Sequence, residues 1–141
     1  MPGCVLRAAS TDFKVDDFLS TSTFHPCNVY RRGELKGQTG KTRDETGMTL
    51  IVSEADGNEL GKQVQDAIKF LEHNKDEIRR LQIYLGGQEM VLDFGIWSKE
   101  VFGQYSYFPA RLLWLAGELG VGIELSVYHC DEEWGPQPEN V

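Results

Sequence analysis

In the stretch LLWLAGELGVGIELSVY, residues 112–128, the spacing of apolar residues changes from that of a helix to that of a strand. This change decides the fold class. Its first half repeats apolar residues at helical spacing, with Pro109 and Gly120 standing where a helix begins and ends. From Val121 onward apolar and polar residues alternate, which is the period of a half-buried strand. The stretch therefore predicts a helix followed by a strand. The residues predicted on the polar face of that strand are Glu124, Ser126 and Tyr128.

The same two periods recur upstream. An apolar stripe at helical spacing over residues 60–71 lies opposite a charged face and predicts an amphipathic helix. Met48–Ser53 and Cys4–Ala9 are short apolar runs that predict strands, and Asp12–Leu19 predicts a short helix. Ser20–Glu45 has little periodicity and is rich in Thr, Gly, Lys and Arg, which predicts a long loop.

A pair of glycines, Gly86 and Gly87, separates two runs that both alternate. Because glycine accepts the positive φ of a tight turn, Leu81–Leu85 and Glu89–Ile96 are predicted to form a β-hairpin. The full order of elements predicts an α+β fold. We expect a single mixed or antiparallel sheet of about five strands with two to three helices on one face, as in ferredoxin-like folds.

The domain division follows from composition. Residues 1–130 predict a single α+β domain, since this length buries enough surface to fold without a metal or disulfide. Residues 131–141 hold two prolines and four acidic residues, which predicts an acidic C-terminal tail with Trp134 as its one aromatic residue.

Charge and cysteine usage restrict the classes of partner. The net charge of −8 disfavours nucleic acid and anionic membranes. It either attracts a basic protein or cationic ligand or only keeps the domain soluble. The three cysteines are widely spaced, with no CxxC pair, and the N-terminus lacks the pattern of a signal peptide. The expected location is the cytoplasm. Oligomeric state is left open by the sequence.

Two familiar ligand motifs fail on spacing. Gly40-Lys41-Thr42 resembles the end of a phosphate-binding loop, but Leu35 occupies the position where that motif needs its first glycine. The His25/Cys27 and His129/Cys130 pairs are closer in sequence than the usual ligands of a structural zinc site. Neither a metal nor another cofactor is therefore predicted, and no catalytic residue is assigned.

Two carboxylates are predicted on one face of the sheet. Asp93 and Glu124 both lie opposite the apolar residues of their strands, and Tyr84 and Tyr128 are predicted on the same face. Arg7 is a further candidate for this face. The face has three interpretations: a binding platform, a surface covered by the long loop, or solvated side chains. An acid–base pair of Asp93 and Glu124 is the remaining alternative, and it requires one raised pKa.

Two further groups are candidates for binding. Arg31 and Arg32 form a local basic spot whose guanidinium groups suit carboxylate or phosphate, or else a screened surface turn. Trp97 opens an aromatic run that extends to Phe108. Such a run favours core packing over a ligand cage.

Three blocks carry a family resemblance. They are the segment from Pro26 to Arg32-Gly33-Glu34, the helix with a Leu-rich end over residues 60–81, and the closing residues 112–128. Together they resemble an uncharacterised family of small bacterial α+β domains with a ferredoxin-like pattern. The resemblance implies an immunity or accessory role and no catalytic residue. The polar insert over residues 34–46 departs from the pattern.

These observations favour two functions. The first is a non-enzymatic protein-interaction domain, with a bacterial immunity-type protein that binds a basic partner as its concrete form. The alternative is a small-molecule-binding regulatory module that uses the open sheet face. The candidate binding residues are Arg31, Arg32, Tyr84, Asp93, Trp97, Glu124 and Tyr128.

Overall fold

The computed structural model describes residues 2–129, which contain five strands and four helices. The predicted boundary at residue 130, the acidic segment 131–141 and Trp134 lie outside the described residues. In chain order the elements are β1 (Cys4–Ser10), α1 (Val15–Ser20), β2 (Asn28–Tyr30), β3 (Thr46–Ser53), α2 (Leu60–His73), α3 (Lys75–Tyr84), β4 (Met90–Trp97), α4 (Ala110–Glu118) and β5 (Val121–Tyr128).

The strands form one open sheet in the order β2-β3-β1-β4-β5. The β2–β3, β3–β1 and β1–β4 pairs are antiparallel, whereas β4 and β5 are parallel neighbours in continuous register from Met90↔Val121 to Trp97↔Tyr128. The parallel pair requires a crossover connection, which α4 and the segment before it supply.

The core lies on one side of the sheet. On the central strand β1, alternate residues beginning with Cys4 are buried, and the residues between them are half-buried. The amphipathic stripe of α2 and the apolar face of α4 pack over that side. The largest buried side chains of this core include Leu6, Phe18, Met48, Leu71, Ile78, Leu81, Leu92, Phe94, Leu112 and Leu115.

The predicted fold class is confirmed: the fold is α+β, with one mixed sheet of five strands. The described residues contain four helices, whereas two to three were predicted, because α1 and α3 both form helices of their own. The ferredoxin-like comparison holds for the layers. It does not extend to the last connection. In the split βαβ unit of a ferredoxin-like fold another strand lies between the two parallel strands, whereas here the parallel strands β4 and β5 pair directly.

The predicted hairpin at Gly86-Gly87 is wrong. Residues 81–84 belong to helix α3, and Ile78, Leu81 and Leu85 are buried at helical spacing. The positive φ of both glycines (66° and 88°) ends the helix, with the Gly86 N–H donating to the Ile83 carbonyl at 3.0 Å. As a result Tyr84 lies on α3 and not on the sheet face, and its ring meets Phe18 edge-on at 5.3 Å.

The predicted long loop of residues 20–45 has more structure than expected. It contributes β2, which pairs with β3 at the sheet edge. Beyond β2 the chain turns back on itself, since the Gly33 N–H donates to the Arg43 carbonyl at 2.9 Å and Lys36 N–H to the Lys41 carbonyl at 2.8 Å. The loop therefore forms a small two-armed extension beside the β2–β3 edge and does not cover the sheet.

Helices α1 and α3 are joined by an ion-pair cluster around Glu77. Its carboxylate accepts hydrogen bonds from Arg80 Nε at 2.7 Å, Ser22 Oγ at 2.6 Å and Thr23 N at 3.1 Å. The Arg80 guanidinium lies 4.3 Å from the Phe18 ring centroid and donates to the Phe18 carbonyl. The hydrogen bond from Arg80, and then those from Ser22 and Thr23, lower the pKa of Glu77, and burial raises it by less. The pKa is therefore lowered to about 2.

We expect Glu77→Gln to lower the free energy of unfolding by about 1–3 kcal/mol at neutral pH. The carboxylate has a lower pKa in the folded chain than in the unfolded one, so its contribution is complete above pH 4.5 and is lost as the pH falls toward 2. Urea denaturation of both proteins at pH 7 and near pH 3 measures it. The control is Glu72→Gln. The pair of Glu72 with Arg111 (2.9 Å) is exposed, so its loss should lower the free energy of unfolding by less. A difference between wild type and Glu77→Gln that does not shrink at low pH contradicts this assignment.

Candidate functional site

The face of the sheet opposite the helices is open. Within the described part of the chain no helix packs on it, and Val5, Arg7 and Thr49 are half-buried while Ile51 is exposed. At one corner of this face the ring of Tyr30, the last residue of β2, packs over Gly47, and Arg43 of the extension lies 4.1 Å from the centroid of that ring. The alternative that the long loop covers the face is therefore wrong for the central part of the face, where Ile51 and the Arg7 side chain are exposed.

An ionic cluster lies near the centre of the open face. Arg7 on β1 donates to Asp93 Oδ2 on β4 and to Glu124 Oε2 on β5, both at 2.5 Å. Ser126 Oγ donates to the second oxygen of Asp93 at 2.6 Å. Asp93 and Glu124 are neighbours in the parallel β4–β5 register, which brings both carboxylates within reach of one guanidinium. The cluster thus connects three adjacent strands.

Burial and charge in this cluster determine its chemistry. Asp93 is only 8% exposed although it lies on the open face. The hydrogen bond to Glu124, and then the charge of Asp93, raise the pKa of Arg7, so the guanidinium stays charged. Both carboxylates accept hydrogen bonds from this cation, and the Asp93 carboxylate also accepts one from a hydroxyl. The cluster links the three strands through one guanidinium that both carboxylates share.

The nearby thiol is unreactive. Cys4 is fully buried on the core side of β1, and burial followed by the charges of Asp93 and Asp66 raises its pKa far above the usual range for a thiol. Nucleophilic catalysis needs the thiolate, and this environment suppresses it. Among residues 2–129, no three His, Cys, Asp or Glu side chains are grouped so that they could hold a metal ion.

Two aromatic residues meet where β4 and β5 end. The Trp97 ring is buried and packs edge-on against Tyr128 at 6.3 Å, and its indole N–H donates to Asp56 at 3.3 Å. Tyr128 is about half exposed. Ser98 N–H donates to the Tyr128 carbonyl at 2.7 Å, which joins the start of the next loop to the end of β5.

The loop over residues 98–109 carries exposed aromatic side chains. Phe102 is fully exposed, and Tyr105 and Tyr107 are 93% and 77% exposed. Gln104 holds the loop in place, donating to the Trp97 carbonyl at 2.9 Å and accepting from Lys99 N–H. We call Phe102, Tyr105, Tyr107 and Tyr128 the aromatic corner. Exposed aromatic residues at this density are typical of interaction surfaces.

Core packing explains only the two ends of the aromatic run. Trp97 is buried, and Phe108 packs on Phe94 with ring centroids 5.2 Å apart. The residues between them face water, which the sequence-based interpretation of the run as core did not predict. The signal available in the sequence was that Gly103 and polar residues interrupt the run, and no apolar period continues through it.

The basic spot at Arg31 and Arg32 lies at the opposite edge of the sheet. Arg31 pairs with Asp16 of α1 at 2.7 Å and its N–H donates to Glu34, beside a shallow cleft of about 300 Å³. The Arg32 N–H donates to Thr46 Oγ1, and its side chain makes no ion pair among the described residues. The structure therefore separates this spot from Asp93, Glu124, Trp97 and Tyr128, which lie together on β4 and β5.

The family described as Domain of unknown function (DUF4279) matches residues 3–129. The chain belongs to this family. The match spans every strand and helix described above, which confirms the resemblance to an uncharacterised family of small domains. Comparison with curated proteins and with solved structures gives no match.

The DUF4279 domain contains, within its described residues, no helix that is both long enough and apolar enough to cross a membrane.

Arg7 is the residue whose importance the sequence signalled least. Only its place two residues from Val5 on a half-buried strand hinted at the open face, and its partners lie 86 and 117 residues away in sequence.

We expect Arg7→Met to lower the free energy of unfolding by about 2 kcal/mol, because it leaves the nearly buried Asp93 carboxylate without its cation. Adding Asp93→Asn should recover part of that loss, with a coupling energy of about 1 kcal/mol or more in a double-mutant cycle. Urea denaturation measures all four proteins. Arg31→Met, which removes a solvent-exposed pair with Asp16, is the matched control and should change stability little. If the losses in free energy of unfolding from Arg7→Met and Asp93→Asn simply add in the double variant, the prediction is wrong.

Proposed function

We propose that this DUF4279 domain is a non-enzymatic protein-interaction domain that binds a basic partner through the aromatic corner. The observation that carries the proposal is the exposure of Phe102, Tyr105 and Tyr107 in a loop whose backbone is held by Gln104. Aromatic side chains bury much area on binding at a small entropic cost, so a rigid display of them favours recognition.

Charge supports the choice of a basic partner. The chain carries a net charge of −8. Glu100, beside Lys99, and Glu124, which pairs with Arg7, are exposed on the loop and strand that bear the aromatic corner. A field of this sign accelerates association with a cationic surface and slows association with nucleic acid. Arg and Lys side chains also bind well over exposed aromatic rings.

The concrete form we propose is a bacterial immunity-type protein, in which the acidic domain masks a basic toxin or nuclease. The family resemblance and the acidic charge support it. Its direct test is co-expression with the product of the adjacent gene, followed by purification of a stable complex. If the adjacent gene product neither binds nor harms the cell, this form is wrong while the broader interaction role stands.

The broader role is tested by capture on the immobilised full chain. We expect a basic protein to be retained at low salt and released as salt rises, because screening weakens steering. Phe102→Ala with Tyr105→Ala should weaken retention at least about tenfold, as for central aromatic contacts. Ile83→Ala, which truncates an exposed apolar residue on α3, is the matched control and should retain the partner. Equal capture by all three proteins contradicts the proposal.

A second candidate function is a small-molecule-binding regulatory module on the open sheet face. The observation in its favour is the cluster of Arg7, Asp93, Glu124 and Ser126, which presents charged and hydroxyl groups on an uncovered surface. Tyr84, which this alternative also invoked, lies on α3 and takes no part. A thermal-shift screen with metabolites tests it: a ligand that raises the melting temperature of the wild type and not of Arg7→Met supports it. No shift with any compound counts against it.

A further inference from the structure

Strand β5 forms one edge of the sheet, and within residues 2–129 its only strand partner is β4. Tyr128 accepts a hydrogen bond from Ser98, at the end of β4, and Gly120 accepts one from Met90. Since a strand residue points its N–H and C=O to the same side, the even-numbered residues of β5 face β4. The outward backbone groups therefore belong to Ile123, Leu125 and Val127.

This edge lacks the usual protection against pairing. Natural edge strands carry lysines, prolines or bulges, or are very short. The segment over residues 121–129 contains no Lys, Arg or Pro, and its register with β4 is continuous over eight residue pairs. The opposite edge differs, because β2 has only three residues. The β5 edge is thus a template for an incoming strand.

Charge determines which strand the edge accepts. From Leu112 to His129 the chain has two glutamates, Glu118 and Glu124, and no Lys or Arg. The exposed Glu89 carboxylate lies over Gly122, since a Cβ added there would be 3.1 Å from it. A second copy of this chain paired at β5 would bring the same carboxylates against these. A basic segment would instead meet opposite charge at Glu89, whose carboxylate forms no ion pair among the described residues, and at the exposed Glu124, which shares the Arg7 guanidinium with Asp93.

We propose that the free edge of β5 binds an extended, basic segment of a partner protein, which adds to the sheet as a sixth strand. This inference rests on the proposed interaction function and names the mode of binding. Main-chain hydrogen bonds to Ile123, Leu125 and Val127 supply affinity, and side chains on the open face meet Glu89 and Glu124. The segment's end at Tyr128 meets the aromatic corner, where cationic side chains lie over the rings.

Two substitutions at one position separate strand pairing from other contacts. Val127 is about half exposed and its N–H points outward, so Val127→Pro removes a donor needed by an incoming strand and leaves the β4 ladder intact. Val127→Ala makes a comparable loss of side chain and keeps the N–H. The probes are fluorescein-labelled peptides of about ten residues, the length of a long strand. One alternates Lys with Val, one alternates Glu with Val, and one is the Lys peptide with prolines in place of alternate valines.

We expect the Lys–Val peptide to bind wild type and Val127→Ala alike, and Val127→Pro at least about tenfold more weakly. The Glu–Val and proline-containing peptides should bind weakly to all three proteins. Amide hydrogen exchange in the wild type provides a readout that does not depend on the variant folding. The N–H groups of Ile123, Leu125 and Val127 should gain protection with the Lys–Val peptide, while those of Glu124 and Ser126 change little.

Four results overturn the inference. Equal binding of the proline-containing and Lys–Val peptides means that charge alone attracts them, and unchanged exchange at Ile123, Leu125 and Val127 means that no strand is added. A wild-type dimer in sedimentation that Val127→Pro dissociates means that a second copy occupies the edge. If Val127→Pro still captures the partner that Phe102→Ala with Tyr105→Ala loses, the edge inference fails and the proposed function stands.

Discussion

The position of β1 in the middle of the sheet is the constraint on which the other elements depend. It pairs with β3 on one side and β4 on the other, so its alternation decides which sheet face is buried. Cys4, Leu6 and Ala8 all point toward the helices. A fully buried Leu stabilises the fold by about 1.5–3 kcal/mol, and a slip of one residue would expose this whole set. The helices therefore collect on one face.

Because the helices occupy one face, the other face must be stable in contact with water. It meets this requirement with small, half-buried side chains and with one ionic cluster. Arg7 supplies a single cation to carboxylates on two other strands, and Ser126 satisfies the remaining oxygen of Asp93. A nearly buried charge is tolerated there because each of its oxygens has a hydrogen-bond donor.

The parallel pairing of β4 and β5 places the interaction features at one end of the molecule. A parallel neighbour requires the chain to leave the end of β4, cross the core face and return, and residues 98–109 begin that path. The crossover displays the exposed rings of the aromatic corner next to the end of β5. It also leaves β5 as the last strand of the sheet within residues 2–129, with one row of backbone groups facing outward. The aromatic corner and the outward edge of β5, through which we propose that the domain binds a partner, therefore both follow from the parallel pairing of β4 and β5.

The sequence by itself determined the fold class, the strands predicted at Cys4–Ala9, Met48–Ser53 and Val121–His129, and the face on which Asp93 and Glu124 lie. The last strand follows from local periodicity, since an alternating run of this length specifies its own buried side, and the first two follow from short apolar runs. Leu81–Leu85 was too short a run for that: its apolar spacing fits a strand or a helix, and only packing of Ile78, Leu81 and Leu85 into the core decided for the helix. Tertiary structure alone brought Arg7 to carboxylates far along the chain and left Phe102, Tyr105 and Tyr107 in water. Contacts between distant segments depend on strand order, which the period of a single segment does not encode.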